Sequence, residues 1–308
     1  VSIVRLLDVD NGERSRIMAR QMRSLRGKVI VVTGGAQGIG AKTAAALVRH
    51  GAKVAIGDLD LVRAEKTAGE LGSDTLALEL DVTDTGAFSA FLDEVERRLG
   101  PIDVLINNAG IMPLAPLHEE EDSSTRRQLE INLHAVIHGT REAVQRMRPR
   151  GSGHIVNVAS MAGKAGFPGA ATYCATKHGV VGLSESVHLE LRGSGVDVSC
   201  VMPAIVRTEL ASGLGEAKMI KSVLPEDVAA AIVGALRRPR FDVFVPKSLD
   251  LTGRITRLLP RTAAEWMLRT LGGDQILASA AHSSARAGYE ARAAESAPAM
   301  GDEDGTAK

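Results

Sequence analysis

The stretch Lys28-Val29-Ile30-Val31-Val32-Thr33-Gly34-Gly35-Ala36-Gln37-Gly38-Ile39-Gly40 decides the fold class. Its opening is a continuous β-branched run, the pattern of a strand buried on both faces of a parallel sheet. Gly34, Gly38 and Gly40 then turn the chain sharply into an Ala-rich helical stretch over 41–50, which Gly51 closes. Glycine permits the backbone angles of such a turn and lets a pyrophosphate come close to a helix N-terminus. A glycine cluster by itself is a weak signal, because an ordinary left-handed turn also produces one. A strand before it, a helix after it and an acidic residue downstream turn it into a nucleotide site.

That acidic residue is Asp58, 24 positions after Gly34 and at the end of the next expected strand, 54–56. A carboxylate there accepts hydrogen bonds from the adenosine ribose hydroxyls and repels a 2′-phosphate. Neither Gln37 nor Leu59 supplies a cation to offset that repulsion. The expected cofactor is therefore NAD rather than NADP.

The strand-helix rhythm continues. Strands are expected over 76–80, 104–106, 154–158, 196–202 and 241–245, alternating with helices over 61–71, 88–99, 126–147, 172–191 and 225–236. Such alternation implies an α/β fold of Rossmann type, a doubly wound parallel sheet with right-handed crossovers. The chain divides into a polar, flexible N-terminal extension over 1–24, a single Rossmann-fold catalytic domain over 25–247, an amphipathic C-terminal helical extension over 248–282 and a tail over 283–308. The tail is rich in Ala, Glu and Gly and poor in large apolar residues, so disorder is expected there.

Bulk properties exclude several classes. The 308 residues are 44% hydrophobic, enough for one sizeable core. Lys plus Arg and Asp plus Glu both number 37, so no electrostatic footprint for nucleic acid exists. Two cysteines, Cys174 and Cys200, make no disulfide framework and have no metal-ligand company, so no metal is expected. The sequence has no run of 18 apolar residues and no apolar leader of signal-peptide type. The expected location is the cytoplasm.

Chemistry enters with Ser160 and with Tyr173-Cys174-Ala175-Thr176-Lys177. Tyr173 and Lys177 stand i, i+4 and share one helix face. A phenol is a poor base at neutral pH, with a reference pKa of about 10. A neighbouring ammonium, joined by a positive nicotinamide, favours the phenolate and is expected to lower that value. Tyr173 can then take an alcohol proton as hydride leaves the carbon, and return it in reverse. Ser160, 13 residues upstream, would hold the substrate oxygen. Cys174 is read as a small buried residue rather than a nucleophile. The histidines at 134, 138, 178 and 188 are read as surface or interface residues.

The density of these motifs resembles the short-chain dehydrogenase/reductase family from about Leu25 to Val245. The motifs are Thr33 to Gly40, Asp81-Val82, Asn107-Asn108-Ala109-Gly110, Asn132, Ser160, Tyr173 with Lys177, and Pro203 to Thr208. The resemblance implies that Gly34, Gln37, Gly38, Ile39 and Gly40 cradle the cofactor. It implies that Asp81 and Val82 flank the adenine and that Asn108, Ala109 and Gly110 line the cofactor's centre. Val206 and Thr208 would bond the nicotinamide carboxamide, Lys177 the nicotinamide ribose, and Tyr173 would also contact the cofactor. Asn132 would hold a water linking Lys177 to solvent. One departure is Ala204, where the family usually has glycine after the proline.

The reaction class expected is NAD(H)-dependent interconversion of an alcohol and its carbonyl. Ile111, Met112, Leu114, Met161, Phe167, Ile205 and Leu210 are the expected pocket lining and fit an apolar steroid, terpenoid, retinoid or fatty alcohol. The alternatives are an NADPH-dependent ketoreductase of fatty-acid or polyketide type, or a nucleotide-sensing protein without catalysis. The two long helices carry apolar positions on more than one face, so a homodimer or homotetramer is expected. The segment 254–271 combines Trp266 with several arginines; it is read as a helix packed on the subunit or its mate, with peripheral contact to anionic lipid as the sharper reading.

Overall fold

The computed structural model describes residues 22–214, 222–250, 260, 262–263, 277, 280 and 283–296. The β-branched runs form seven strands: β1 Val29–Thr33, β2 Lys53–Asp58, β3 Thr75–Glu79, β4 Val104–Asn107, β5 Gly153–Val158, β6 Val196–Pro203 and β7 Asp242–Val245. They make one parallel sheet in the order β3-β2-β1-β4-β5-β6-β7. The order reverses between β1 and β4, which opens a crevice at the carboxyl ends of those strands.

Alternation along the strands sends successive side chains to opposite faces. Ile30, Val32, Val54, Ile56, Val156 and Val201 pack under helices α1 Gly38–Arg49, α2 Leu61–Leu71 and α7 Pro225–Arg237. Val29, Val31, Ala55, Leu105 and Ile155 face Phe88, Phe91, Leu92 and Val95 of helix α3 Thr85–Leu99, with Ala143 and Met147 of helix α5 Ala135–Met147. Both sheet faces are thus covered, as continuous apolar strands require. Local signals set the helix ends. Asp60 and Asp84 accept from the backbone N–H groups of Arg63 and Ala87, each at 2.9 Å, and cap α2 and α3. Pro225 opens α7.

The structure departs from the sequence reading in three places. The helix expected over 126–147 is divided into α4 Asp122–Leu129, a π-helical turn Glu130–His134, and α5. The chain is anchored before Leu25: Arg23 pairs with Asp197 at 2.6 Å, and its N–H donates to the Arg237 carbonyl at 2.9 Å. The tail expected to be disordered from Ser283 is folded as far as Ser296, with helix α8 Ala287–Glu295 packed on the rest of the domain. Its residues are small and polar, but one buried arginine secures them.

The amphipathic segment 254–271 lies outside the described residues apart from Pro260, Thr262 and Ala263. No helix among the described residues is long and apolar enough to cross a membrane.

Candidate active site

The glycine turn is built as its spacing demands. Gly34 and Gly38 have φ of +64° and +55°, a region that side chains disfavour. A Cβ on Gly40 would sit 2.1 Å from the Gly34 carbonyl oxygen. Asn108 holds this turn in place: its Nδ2 donates to the carbonyls of Thr33 and Gly34, both at 2.9 Å. Thr33 Oγ1 in turn accepts from the N–H groups of Asn108 and Ala109. Asn107 points the other way, into the core, and donates to Asn157 Oδ1 at 2.8 Å.

Above the turn runs a cleft of about 450 Å³. Every residue expected to hold a cofactor along Gly34, Gln37, Gly38, Ile39, Asp58, Asp81, Val82, Asn108, Ala109, Gly110 and Thr208 lines it. Gly40 lies beneath the turn, and Val206 is buried beside the cleft in a bridge with Val223. Asp58 accepts from the N–H groups of Ala36 at 2.9 Å and Asp60 at 3.2 Å. Burial pushes its carboxyl above the ordinary range, and those two N–H bonds act against the rise. This cleft fits a dinucleotide: an open glycine turn meets a helix N-terminus at its middle, and a fixed carboxylate stands at one end.

Ser160, two residues beyond β5, caps a short turn by accepting from the Ala162 N–H at 3.1 Å. Gly163 lets that turn approach helix α6 Ala171–Glu190, since a Cβ there would lie 2.6 Å from the Lys177 carbonyl oxygen. Helix α6 carries Tyr173 and Lys177 on its buried face, with the Tyr173 hydroxyl hydrogen-bonded to Ser160. Lys177 Nζ lies 5.7 Å from the Tyr173 ring centre and donates to the Val158 carbonyl at 3.0 Å. Asn132, in the π-helical turn, grips Ile111 with both ends of its amide, at 2.8 Å each. Such a bulge re-aims a side chain without ending the helix. A Cβ on Gly110 would lie 3.1 Å from Asn132 Oδ1 and 3.6 Å from Lys177 Nζ, so both groups border that glycine.

The expected lowering of the Tyr173 pKa does not hold in the protein alone. Burial pushes the phenol up to about 12, with the Ser160 hydrogen bond acting against it. Burial also brings Lys177 down to about 8. Desolvation outweighs the Ser160 hydrogen bond at the phenol, and no sequence displays that effect. Cys174 has its thiol pushed up by burial, as its reading as an inert residue requires.

Met112, Leu114, Phe167, Ile205 and Leu210 gather around Tyr173. Met161 does not join them and packs instead with Val136 and Val180. Leu277 and Ala280 take part in the cluster, a contribution from the C-terminal region that the sequence reading missed. Also missed were Arg63, Glu209, Tyr289 and Arg292, all of which line the cleft. His138, read as a surface or interface residue, is buried edge-on against Phe88, with ring centres 5.4 Å apart.

Residues 28–219 match the family model described as short chain dehydrogenase. The chain belongs to that family. This short-chain dehydrogenase is 39% identical over 223 residues to cis-4-hydroxycyclohexanecarboxylate dehydrogenase of Sinomonas cyclohexanicum, covering 69% of this chain and 84% of the relative. It is 35% identical over 215 residues to the 3-alpha-(or 20-beta)-hydroxysteroid dehydrogenase of Mycobacterium tuberculosis, covering 70% of this chain and 79% of that one. The structure of a short chain dehydrogenase/reductase from Burkholderia phymatum in complex with NAD matches 77% of this chain and 95% of its own, with a TM-score of 0.71 and 26% identity. The short-chain dehydrogenase described here is an oxidoreductase with a single Rossmann-type domain. Helix α8 lies outside the stretch that the family model matches.

Proposed function

We propose that this short-chain dehydrogenase interconverts an apolar alcohol and its carbonyl compound with NAD(H). The observation that carries the reading is the hydrogen-bonded Ser160–Tyr173 pair beside Lys177, which borders Gly110 of the cleft that also bears Asp58. When bound, the nicotinamide supplies the hydride acceptor for oxidation or the donor for reduction. Tyr173 gives or takes the proton at the substrate oxygen, and Ser160 holds that oxygen beside it. Lys177 favours the phenolate and binds the nicotinamide ribose. Asn132 holds the water that connects Lys177 to solvent. Val206 and Thr208 take the carboxamide, and Asp81 and Val82 the adenine.

The relatives named above act on a hydroxysteroid and on a hydroxycyclohexanecarboxylate, which makes a ring alcohol a reasonable substrate class here. The apolar side chains gathered around Tyr173 favour the steroid-like end of that range, with terpenoid, retinoid and fatty alcohols fitting the same surface. A closed homodimer or homotetramer is proposed from the exposed Leu129 and Leu189 on the two long helical segments.

Asp58 sets the cofactor choice. Arg63 also borders the cleft, but Gln37 and Glu209 engage it, leaving the carboxylate to meet the ribose. Replacing Asp58→Ser together with Leu59→Arg, at an exposed position, removes a repulsive charge and adds a phosphate partner. The ratio of kcat/KM for NAD over NADP is expected to fall by about 100-fold or more. Steady-state kinetics with both cofactors checks this, and a wild type that already prefers NADP contradicts the assignment.

The pH dependence follows from Tyr173. At neutral pH it is the phenol, ready to donate in carbonyl reduction, whereas alcohol oxidation needs the phenolate. Oxidation is expected to accelerate with pH from neutrality by up to about tenfold per unit. The slope eases above about pH 8, where Lys177 loses the charge that favours the phenolate. Reduction should stay level over the same interval. An oxidation rate that ignores pH between about 6 and about 9 would contradict this role for Tyr173.

A further inference from the structure

Helix α8 lies across the cleft rather than away from it. Tyr289, Arg292, Ala293, Glu295 and Ser296 line it together with the glycine turn and Asp58. The helix is tied down on its inner side. Tyr289 Oη accepts from the Met112 N–H at 2.7 Å, and Ala293 packs on Ile111 and Ile131. Its outer side carries Arg292, which pairs with Glu209. Glu209 also pairs with Arg63 at 3.8 Å, and Arg63 donates to Gln37 of the glycine turn. Gln37, Arg63, Glu209 and Arg292 therefore make a polar chain from the turn to the tail, and all four border the cleft. The chain runs close above the turn: Thr208, next to Glu209, has its methyl 3.4 Å from where a Gly38 Cβ would sit.

The glycine turn brings no cation of its own. Gln37 and Ile39 stand between its glycines, and Lys42, one step further, pairs with Glu226 at 3.0 Å. The N-terminus of α1 offers about half a positive charge. A pyrophosphate carries two negative charges and would also meet the Glu209 carboxylate. Arg292 can answer both: its side chain is half exposed, so changing partner costs little desolvation. Resting on the reading that the cleft takes a dinucleotide, we propose that α8 is the outer wall of the cofactor site and that Arg292 pairs with the cofactor pyrophosphate. This places a cofactor contact on the C-terminal tail, outside the matched family stretch.

The test is equilibrium binding to the full chain and its variants, by fluorescence for NADH and by calorimetry for ADP-ribose and adenosine. Arg292→Gln is expected to weaken NADH and ADP-ribose by about tenfold, the effect of losing one charge-assisted hydrogen bond. Arg292→Glu should weaken them further, and both variants should flatten the salt dependence of binding. Adenosine, which has no phosphate, should bind wild type and variants alike. Arg292→Gln binding ADP-ribose as tightly as wild type overturns the proposal. So does an equal loss for adenosine, which would mark a general disturbance of the wall. A wild type that binds neither NADH nor ADP-ribose would instead bring down the cofactor reading, and this proposal with it.

Discussion

Replacing Tyr173→Phe is expected to lower kcat by about 1,000-fold in both directions while leaving cofactor binding unchanged. The substitution deletes one oxygen and keeps the ring, which is buried among Met112, Leu114 and Cys174. The fold loses no packing, and Ser160 keeps its bond from the Ala162 N–H. Chemistry loses its proton donor, because the Ser160 alcohol is a far weaker acid than a phenol and Lys177 holds its Nζ on the Val158 carbonyl. Single-turnover rates and NADH binding, measured side by side, separate the two effects. Wild-type kcat in the variant would mean that another group moves the proton.

Arg286→Met is expected to release the tail. Arg286 is 1% exposed, and its guanidinium donates to three carbonyls: Met112 at 2.7 Å, Ser212 at 2.9 Å and Leu210 at 3.0 Å. It also pairs with Glu290 at 3.0 Å and lies 4.8 Å from the Tyr289 ring centre. These partners belong to two loops, after β4 and after β6, and to α8 itself. Methionine fills similar space but satisfies none of the carbonyls, at a cost of about 3 kcal/mol. That cost falls on the local opening of the tail, so hydrogen exchange over 283–296 should speed up by about 100-fold. Amides in β1, β4 and β5 should keep their protection, since their bonds do not involve the tail. Unchanged exchange over 283–296 would show that Arg286 does not secure it.

The sheet was legible because its strands carry their own evidence. The runs at Val29–Thr33 and Val104–Asn107 are apolar without alternation, as burial on both faces requires. The glycine turn, Asp58 and the Tyr173–Lys177 pair were legible for a related reason: each is a local pattern whose spacing fixes its geometry. What the sequence hid depends on distant partners. The π-helical turn around Asn132 is organised by Ile111, 21 residues away. The raised Tyr173 value comes from burial, which no spacing encodes. Met161 follows Ser160 directly yet turns its side chain to a different cluster.

The tail misled through composition. Its few large residues pointed to disorder, but Arg286, Tyr289, Glu290 and Ala293 recur at i, i+3, i+4 and i+7, the spacing of one helix face. A long arginine buried along its stem does the work usually left to leucine or phenylalanine. That face could have been read from the sequence, although the three carbonyls it meets could not.

The most direct measurement is the initial rate of nicotinamide reduction by the purified chain, with NAD and NADP, across alcohols that span apolar ring and chain compounds, sugars and charged hydroxy acids. The account predicts turnover of apolar alcohols, with NAD favoured over NADP by about tenfold or more in kcat/KM. Preference for NADP, or for sugars and charged hydroxy acids over every apolar alcohol tried, would contradict it.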